Sequence, residues 1–435
     1  MISPVENSPL LSIVIPTRNR QKYAISAIIS ILSITAPDLE LVVHDNSDSR
    51  DLEEYIRSNI NDTRLRYNYT STPKSMVDNW DAAVGLASGK YLCLIGDDDG
   101  VNPEIIEATR WADLNDIDAL KPTVRVSYLW PESGVPSTLF TKVSPKGVLA
   151  IQPFSGKVTK PDPEVEMRKV VQSGGFKYLE TEIPRLYHGI VKRKCLNEVR
   201  GKTGAFFGGL SPDIFVALAI ANFAKNVISI DYPLTIAGAC EPSGSATSQR
   251  GEHVGNLEDA PDLPRYVQMK IVATREHVGN PEDTPHFRYR GTYKWSEIIP
   301  RFYSVQTVWA DSTVAALKAL GRDDILRDFN LPLLAAYCVA AHPKYRRIIL
   351  RDMYNSFRIM NKNQLVGTFQ FCYSLLLCCF KRELLIKLIP KRIKRILLVL
   401  LGITRINDVK DIAEATNIMT DHLRKTKKRF LDFVS

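Results

Sequence analysis

No run of this 435-residue chain is apolar for long enough to cross a membrane as a helix. The most apolar stretch, Leu365 to Phe380, spans sixteen residues and contains Gly, Thr, Gln and Ser, short of the ~20 a spanning helix needs. The opening MISPVENSPLL has neither a basic start nor a long apolar core, so a secretory signal is not expected. Cysteine pairs at metal or redox spacing are also missing. The seven cysteines (Cys93, Cys195, Cys240, Cys338, Cys372, Cys378 and Cys379) are odd in number, scattered and without CxxC. That argues against a disulfide framework or a zinc site and suits a reducing cytoplasm.

What is present is ordinary in bulk, 45% hydrophobic and 24% charged, as in globular proteins, and the length allows two or three domains. The charge is uneven. Residues 381–435 carry 14 Lys/Arg against 6 Asp/Glu, so most of the net +9 lies in that tail. Within it, KRELLIKLIPKRIKRILLVLLGI alternates Lys/Arg clusters with Leu and Ile. Basic and apolar residues at this density suit a helix lying on an anionic membrane surface. Nucleic acid is disfavoured as a partner, because single-strand binding calls for aromatic residues among the cations.

The first 120 residues alternate strand and helix patterns. LSIVIP (Leu11 to Pro16), LELVVHD (Leu39 to Asp45), LRYNY (Leu65 to Tyr69) and KYLCLIG (Lys90 to Gly96) read as strands, with helical spacing between them. Such alternation predicts a mostly parallel sheet flanked by helices, with ligands beyond the carboxyl ends of the strands. Three polar clusters fall at those ends: Thr17-Arg18-Asn19, Asp45-Asn46-Ser47 and Asp97-Asp98-Asp99. Three adjacent carboxylates raise one another's pKa unless a cation neutralises them. Farther on, a Pro/Ser/Gly-rich loop or hairpin region is expected over 131–163, a helix from Pro212 and a single strand over ISIDYPLTIAG. Residues 241–294 are polar and duplicate EHVGNLEDAP (Glu252 to Pro261) as EHVGNPEDTP (Glu276 to Pro285). Residues 295–435 read as mainly helical.

SIVIPTRNR, a strand ending HDNSDS, and NWDAAVGLASGKYLCLIGDDDG together resemble the inverting glycosyltransferases of family 2, over residues 9 to 125 and more loosely 185 to 260. The resemblance implies a GT-A fold over 9–240 and sugar transfer from a nucleoside-diphosphate sugar to a glycan or polyprenyl-diphosphate-linked acceptor. Surface polysaccharide such as O-antigen or capsule is the implied product, at the inner face of the cytoplasmic membrane. It implies that Pro16, Thr17 and Arg18 line the nucleotide pocket, that Asp45 meets the base, and that Asp97 or Asp98 meets the ribose. Asp99 would hold Mn²⁺ or Mg²⁺, helped by His253, with His277 in the duplicated copy as its competitor. Asp213 in GGLSPDIF would be the general base, although Pro212 stands where the family more often has an acidic residue. Simpler readings exist beside these: an Asx turn at Asp45, a surface cation at Arg18, a helix-start charge at Asp213. Two other functions are weighed. A sugar nucleotidyltransferase would need a Gly-rich loop after the first strand, and PTRNRQKYA has no glycine. A non-catalytic nucleic-acid or membrane binder would rest on the basic tail alone.

Overall fold

The computed structural model describes residues 8–133, 146–241, 243, 254–256, 294–379, 402–426 and 428–434. The chain begins β1 (Leu11–Thr17), α1 (Gln21–Leu32), β2 (Leu39–Asp45), α2 (Asp51–Asn59), β3 (Leu65–Tyr69), α3 (Met76–Leu86), β4 (Tyr91–Leu94), β5 (Gly100–Val101) and α4 (Ile105–Leu114). It continues with β6 (Ala119–Pro122), β7 (Val126–Leu129), β8 (Gly147–Ile151), β9 (Val158–Thr159), α5 (Pro163–Gln172), β10 (Ile190–Lys192), α6 (Arg193–Thr203), α7 (Pro212–Phe223), β11 (Val227–Ile230) and β12 (Thr235–Ala239). The expected α/β architecture is present: an eight-stranded sheet in the order β3-β2-β1-β4-β10-β6-β11-β9, mostly parallel, with β10 and β9 antiparallel to their neighbours.

Alternation explains why β1 is buried throughout and largely apolar. Ile13 and Ile15 point into one core with α1, whereas Val14 points into another with α3, α6 and α7. A strand covered on both faces has no solvent side to keep polar, and each buried Ile or Val contributes roughly 1.5–3 kcal/mol. Pro16 is tolerated because the β1–β4 ladder ends at Val14 opposite Leu94, one turn of the pleat earlier; it has no N–H to offer a strand beyond. The outer strand β3 alternates between half-buried and exposed residues, as an edge position requires.

A second sheet contains β8, β7, β12 and β5 in that order, with the strand Thr404–Val409 antiparallel on the outside of β8. Two expectations change here. ISIDYPLTIAG is two strands, β11 and β12, in different sheets. They separate at Asp231-Tyr232-Pro233, where the Asp231 carboxylate is tied to Arg125 and to Ser155 of another loop, and proline supplies no ladder donor. The 131–163 region contributes the strands β8 and β9 beside its loops.

The helices Val305–Leu320, Leu331–Ala341, Arg346–Ile359 and Gln364–Cys379 build a third core with α5 and α7. The chain then returns to the first domain. Helix Ile412–Thr426 buries Ile412, Ala415, Met419 and Leu423 in the core shared with α1 and β5. Gly100 of β5 is approached so closely that a Cβ there would stand 2.9 Å from Thr416 Oγ1. The residue after the acidic triplet is thus held by the far end of the chain.

Candidate active site

The three polar clusters do meet at one edge. Asn46, after β2, uses its amide nitrogen to cap the Thr70 and Thr72 carbonyls at 2.7 and 2.8 Å. Asp45 is fully buried; one oxygen accepts the Ser47 N–H and the other the Tyr67 hydroxyl, both at 2.8 Å. The Asx turn is therefore present. Thr17, at the end of β1, donates to Asp97 Oδ2 at 2.6 Å. Pro16 beside it is buried within β1. Arg18 turns outward, donating to the Lys74 carbonyl at 3.0 Å and lying 3.6 Å from Asp48. It sits at the rim, not among the aspartates.

The cation among the aspartates is Arg20, which the sequence reading passed over. Its Nη1 lies 3.0 Å from Asp97 Oδ1 and its Nη2 lies 2.9 Å from Asp98 Oδ1. The same Nη2 reaches Cys240 Sγ at 2.8 Å. Burial opposes the charge on Arg20, but Asp97 and Asp98 outweigh it and raise its pKa. One guanidinium does not neutralise three carboxylates. Burial pushes Asp97 up to about 7 despite Arg20, with Asp98 adding to the rise. Asp99 also stands at about 7, from burial and from the Asp98 charge.

Asp99 faces the interior. It accepts the Gly96 and Gly238 amides at 2.7 Å each and the Tyr187 hydroxyl at 2.8 Å. His188 Nε2 stands 3.4 Å away. Burial, reinforced by Arg185, pulls that imidazole down to about 4, so it is neutral at physiological pH. Its other nitrogen meets Thr235 Oγ1 at 3.0 Å. His188 adopts φ of 61°, an uncommon backbone state for a non-glycine residue. Asp98 accepts the Cys240 amide at 3.0 Å, and Trp130 Nε1 donates to the Asp98 carbonyl at 2.9 Å. The β12 strand thus clamps the triplet from behind.

Asp213 lies on the first turn of α7, behind Pro212 at the helix start. Proline suits that position because its missing N–H would have no partner there anyway. Ser211 Oγ donates to Asp213 Oδ1 at 2.5 Å, and the Tyr178 hydroxyl donates to Oδ2. The loop before it is pinned from the helical region: Ser312 Oγ accepts the Leu210 and Ser211 amides at 3.1 and 2.9 Å. Gly209, at φ 66°, leaves room for that contact, since a Cβ would stand 2.6 Å from Ser312 Oγ. The Arg185 guanidinium lies over the Tyr178 ring at 5.2 Å and within electrostatic reach of Asp213 and His188. The buried Tyr187 phenol is pushed well up by burial, then by Asp99, Asp98 and Asp213. Tyr187 thus bonds to Asp99 and lies within electrostatic reach of Asp213.

Residues 12–125 match the glycosyl transferase family 2 model. They are a family 2 glycosyl transferase domain. Over 101 residues the chain is 34% identical to a putative colanic acid biosynthesis glycosyl transferase, WcaA, of Escherichia coli, covering 23% of this chain and 36% of that one. Over 96 residues it is 33% identical to the GalNAc(5)-diNAcBac-PP-undecaprenol beta-1,3-glucosyltransferase of Campylobacter jejuni, covering 21% and 30%. The chain thus spans about a third of the length of these curated relatives. Among solved structures, S. aureus TarS 1-349 in complex with UDP-GlcNAc aligns with a TM-score of 0.42 at 16% identity, over 82% of this chain and 93% of that one.

Asp97, Asp98, Asp99 and Thr17 of the family 2 domain gather at one point, with Asp213 within electrostatic reach of Tyr187 beside Asp99; Arg18 lies at the rim, and Asp45 is buried at the end of β2, held by Ser47 and Tyr67. His253 and His277 lie outside the described residues. Among the described residues no group of three or more His, Cys, Asp or Glu is arranged to hold a metal ion. The pair Asp97–Asp98 nevertheless suits a cation: two buried carboxylates converge on one guanidinium, and Asp97 Oδ1 accepts no well-formed hydrogen bond. Sequence reasoning missed Arg20, Arg185, Tyr187 and His188. Only Arg20 had a visible signal, as the second arginine of TRNR after the first strand.

Proposed function

We propose that this protein transfers a sugar from a nucleoside-diphosphate sugar to a hydroxyl of a glycan or lipid-linked acceptor, with inversion, in surface polysaccharide synthesis. The observation that carries the reading is the buried acidic triplet at the carboxyl end of β4, neutralised only in part by Arg20. The donor's nucleoside would lie across the ends of β1 and β2, near Thr17, Arg18 and Asp45, with its diphosphate toward Asp97 and Asp98. Those two carboxylates, rather than the inward-turned Asp99, would hold a divalent Mn²⁺ or Mg²⁺. When bound, such an ion offsets charge growing on the leaving diphosphate.

Asp213 takes the proton of the acceptor hydroxyl as that oxygen attacks the anomeric carbon. The carbon–oxygen bond to the nucleoside diphosphate breaks from the opposite side, and the diphosphate departs with the bonding electrons. Hydroxyls of Ser211 and Tyr178 fix the carboxylate at the helix start, so its position is set before the acceptor arrives. A positioned base of this kind contributes typically 10²–10⁴-fold. An acceptor carried on a polyprenyl diphosphate would bring the enzyme to the inner face of the cytoplasmic membrane.

The test is calorimetric binding of UDP, GDP, dTDP and CDP, with and without Mn²⁺, to wild type, Asp98→Ala and Asp213→Asn. One nucleotide should bind to wild type and to Asp213→Asn and fail with Asp98→Ala. Turnover of the matching sugar nucleotide should fall at least ~10²-fold in Asp213→Asn. A folded wild-type protein that binds none of the four would overturn the reading.

A further inference from the structure

Two cations lie at the carboxyl edge of the large sheet without a counterion in contact. The first, Lys121, is the third residue of β6. Strand β6 runs parallel to β4, because both pair antiparallel with β10, so Lys121 is at the same edge as the acidic triplet. Leu120 and Ala119 pack into opposite cores, and alternation turns Lys121 to the side of Ala119 and α7. It is 8% exposed, and lysine is almost never buried unless paired. Among the described residues, charge alone acts on it, without a hydrogen bond. Burial and then Arg185 pull its amine down to about 8, while Glu182, Glu166 and Asp231 oppose them. Each of those carboxylates is engaged elsewhere. Glu166 accepts from Lys169 and from the Glu182 amide, Glu182 from Thr159, and Asp231 from Arg125.

Arg185 is the second cation. Gly189 sits against both the Arg185 and the Leu120 carbonyl oxygens, so Arg185 leaves the chain beside β6. Its Nη2 donates to the Tyr178 and Leu179 carbonyls at 3.1 and 3.0 Å, while its Nε is buried with no partner. Burial lowers its pKa, against the pull of Tyr178 and Asp213. Main-chain carbonyls thus fix the guanidinium in place and leave its charge uncompensated. The ring it covers, Tyr178, is the one whose hydroxyl donates to Asp213. Buried charges without partners are costly, and two cations near each other add repulsion that an arriving anion relieves. A carboxylate offsets one positive charge. A phosphate ester carries nearly two negative charges at neutral pH, and both Arg and Lys bind its oxygens.

We propose that Lys121 and Arg185 form a subsite for a phosphate group of the acceptor, beside Asp213. The inference rests on the proposed function for placing the acceptor at Asp213, and it deepens that reading by naming a phosphate-bearing acceptor. The experiment is calorimetric binding of methyl phosphate and of farnesyl diphosphate, at constant ionic strength and without divalent metal, to wild type, Lys121→Met and Arg185→Lys. Wild type should bind at least one of the two, and Lys121→Met should lose at least tenfold in affinity for it. The melting temperature of Lys121→Met should hold or rise, because an apolar chain of similar length replaces a buried charge. A lysine kept only for the fold would give the opposite. Arg185→Lys keeps the charge but not the planar fork, and it should weaken the same ligand. Tighter binding of farnesyl diphosphate would place the phosphate on a lipid carrier, and tighter binding of methyl phosphate would place it on the glycan. Nucleotide binding with Mn²⁺ should be unchanged in Lys121→Met, which separates failure of this proposal from failure of the glycosyltransferase reading. Failure of a folded wild type to bind either phosphate would overturn the proposal, as would equal binding by wild type and Lys121→Met. So would loss of nucleotide binding in Lys121→Met, since the cations would then serve the donor's diphosphate.

Discussion

Replacing Arg20 with methionine removes the positive charge that meets Asp97 and Asp98 while keeping most of the side-chain volume. The guanidinium lies 3.0 and 2.9 Å from the two carboxylates, and its side chain is 21% exposed against 2% and 6% for theirs. Breaking a buried ion pair from one side costs about 3–5 kcal/mol, because the remaining charge is stranded. Here an escape exists. Asp97 already stands near 7 with Arg20 in place, and loss of the cation moves it higher. A folded-state pKa above the unfolded value means that the protonated form favours folding, so the variant should lose stability as pH rises. Wild type, with Asp97 near 7, already binds about half a proton there on average between pH 6 and 8, so the extra half proton of the variant is worth about 1.4 kcal/mol over those two units. Arg20→Met should therefore cost about 3 kcal/mol at pH 8 and about 1.5 kcal/mol at pH 6. Urea unfolding followed by tryptophan fluorescence at the two pH values measures the difference through the midpoint at constant slope. Mn²⁺ should raise the melting temperature of the variant more than that of wild type, since the metal would no longer compete with a guanidinium. An equal loss at both pH values, or a loss under about 0.5 kcal/mol, would refute the idea that the triplet depends on this cation.

Two further outcomes follow from the same structure. A Cβ on Gly238 would stand 1.8 Å from the Asp98 carbonyl oxygen, so Gly238→Ala should push β12 off the triplet, lower stability by about 1–3 kcal/mol, and abolish nucleotide binding in the calorimeter. Asp311 is buried in the helical region, accepts the Ser296 amide at 2.7 Å, and is pushed by burial up to about 7. Its raised pKa favours the folded state below the unfolded value near 3.8. That advantage is lost as pH rises through about 7. Asp311→Asn, which keeps the acceptor oxygen, should stabilise the fold at pH 8 by up to ~4 kcal/mol and by little at pH 4, read as the difference between two melting curves.

The strands of the first domain and the polar clusters at their ends were legible because both depend on local pattern. A strand buried on two faces is mostly apolar, and a βα turn places its polar residues at the carboxyl edge. The triplet Asp97–Asp99 was conspicuous for the same reason, as charge written directly after an apolar run. Its internal division of labour was not. Whether an aspartate faces a ligand or the core depends on which way each side chain leaves a tight turn, and on what stands behind it. Asp99 is turned inward by the Gly238 amide and Tyr187, residues 139 and 88 positions away.

Taken by itself, the sequence determined the parallel half of the sheet, the site's edge, the helix start that carries Asp213, and the charge contrast between body and tail. Periodicity, proline placement and net charge are properties of neighbouring residues, and they survive without knowledge of the fold. The tertiary structure alone decided that Arg20 and not Arg18 meets the aspartates, that Ser312 of the helical region sets the loop before Asp213, and that the strand Thr404–Val409 returns to β8. It also decided which face of the uncharged helix Gln364–Cys379 is left to solvent. Each of these depends on contacts between segments far apart in the chain, where the sequence records the partners but not their pairing.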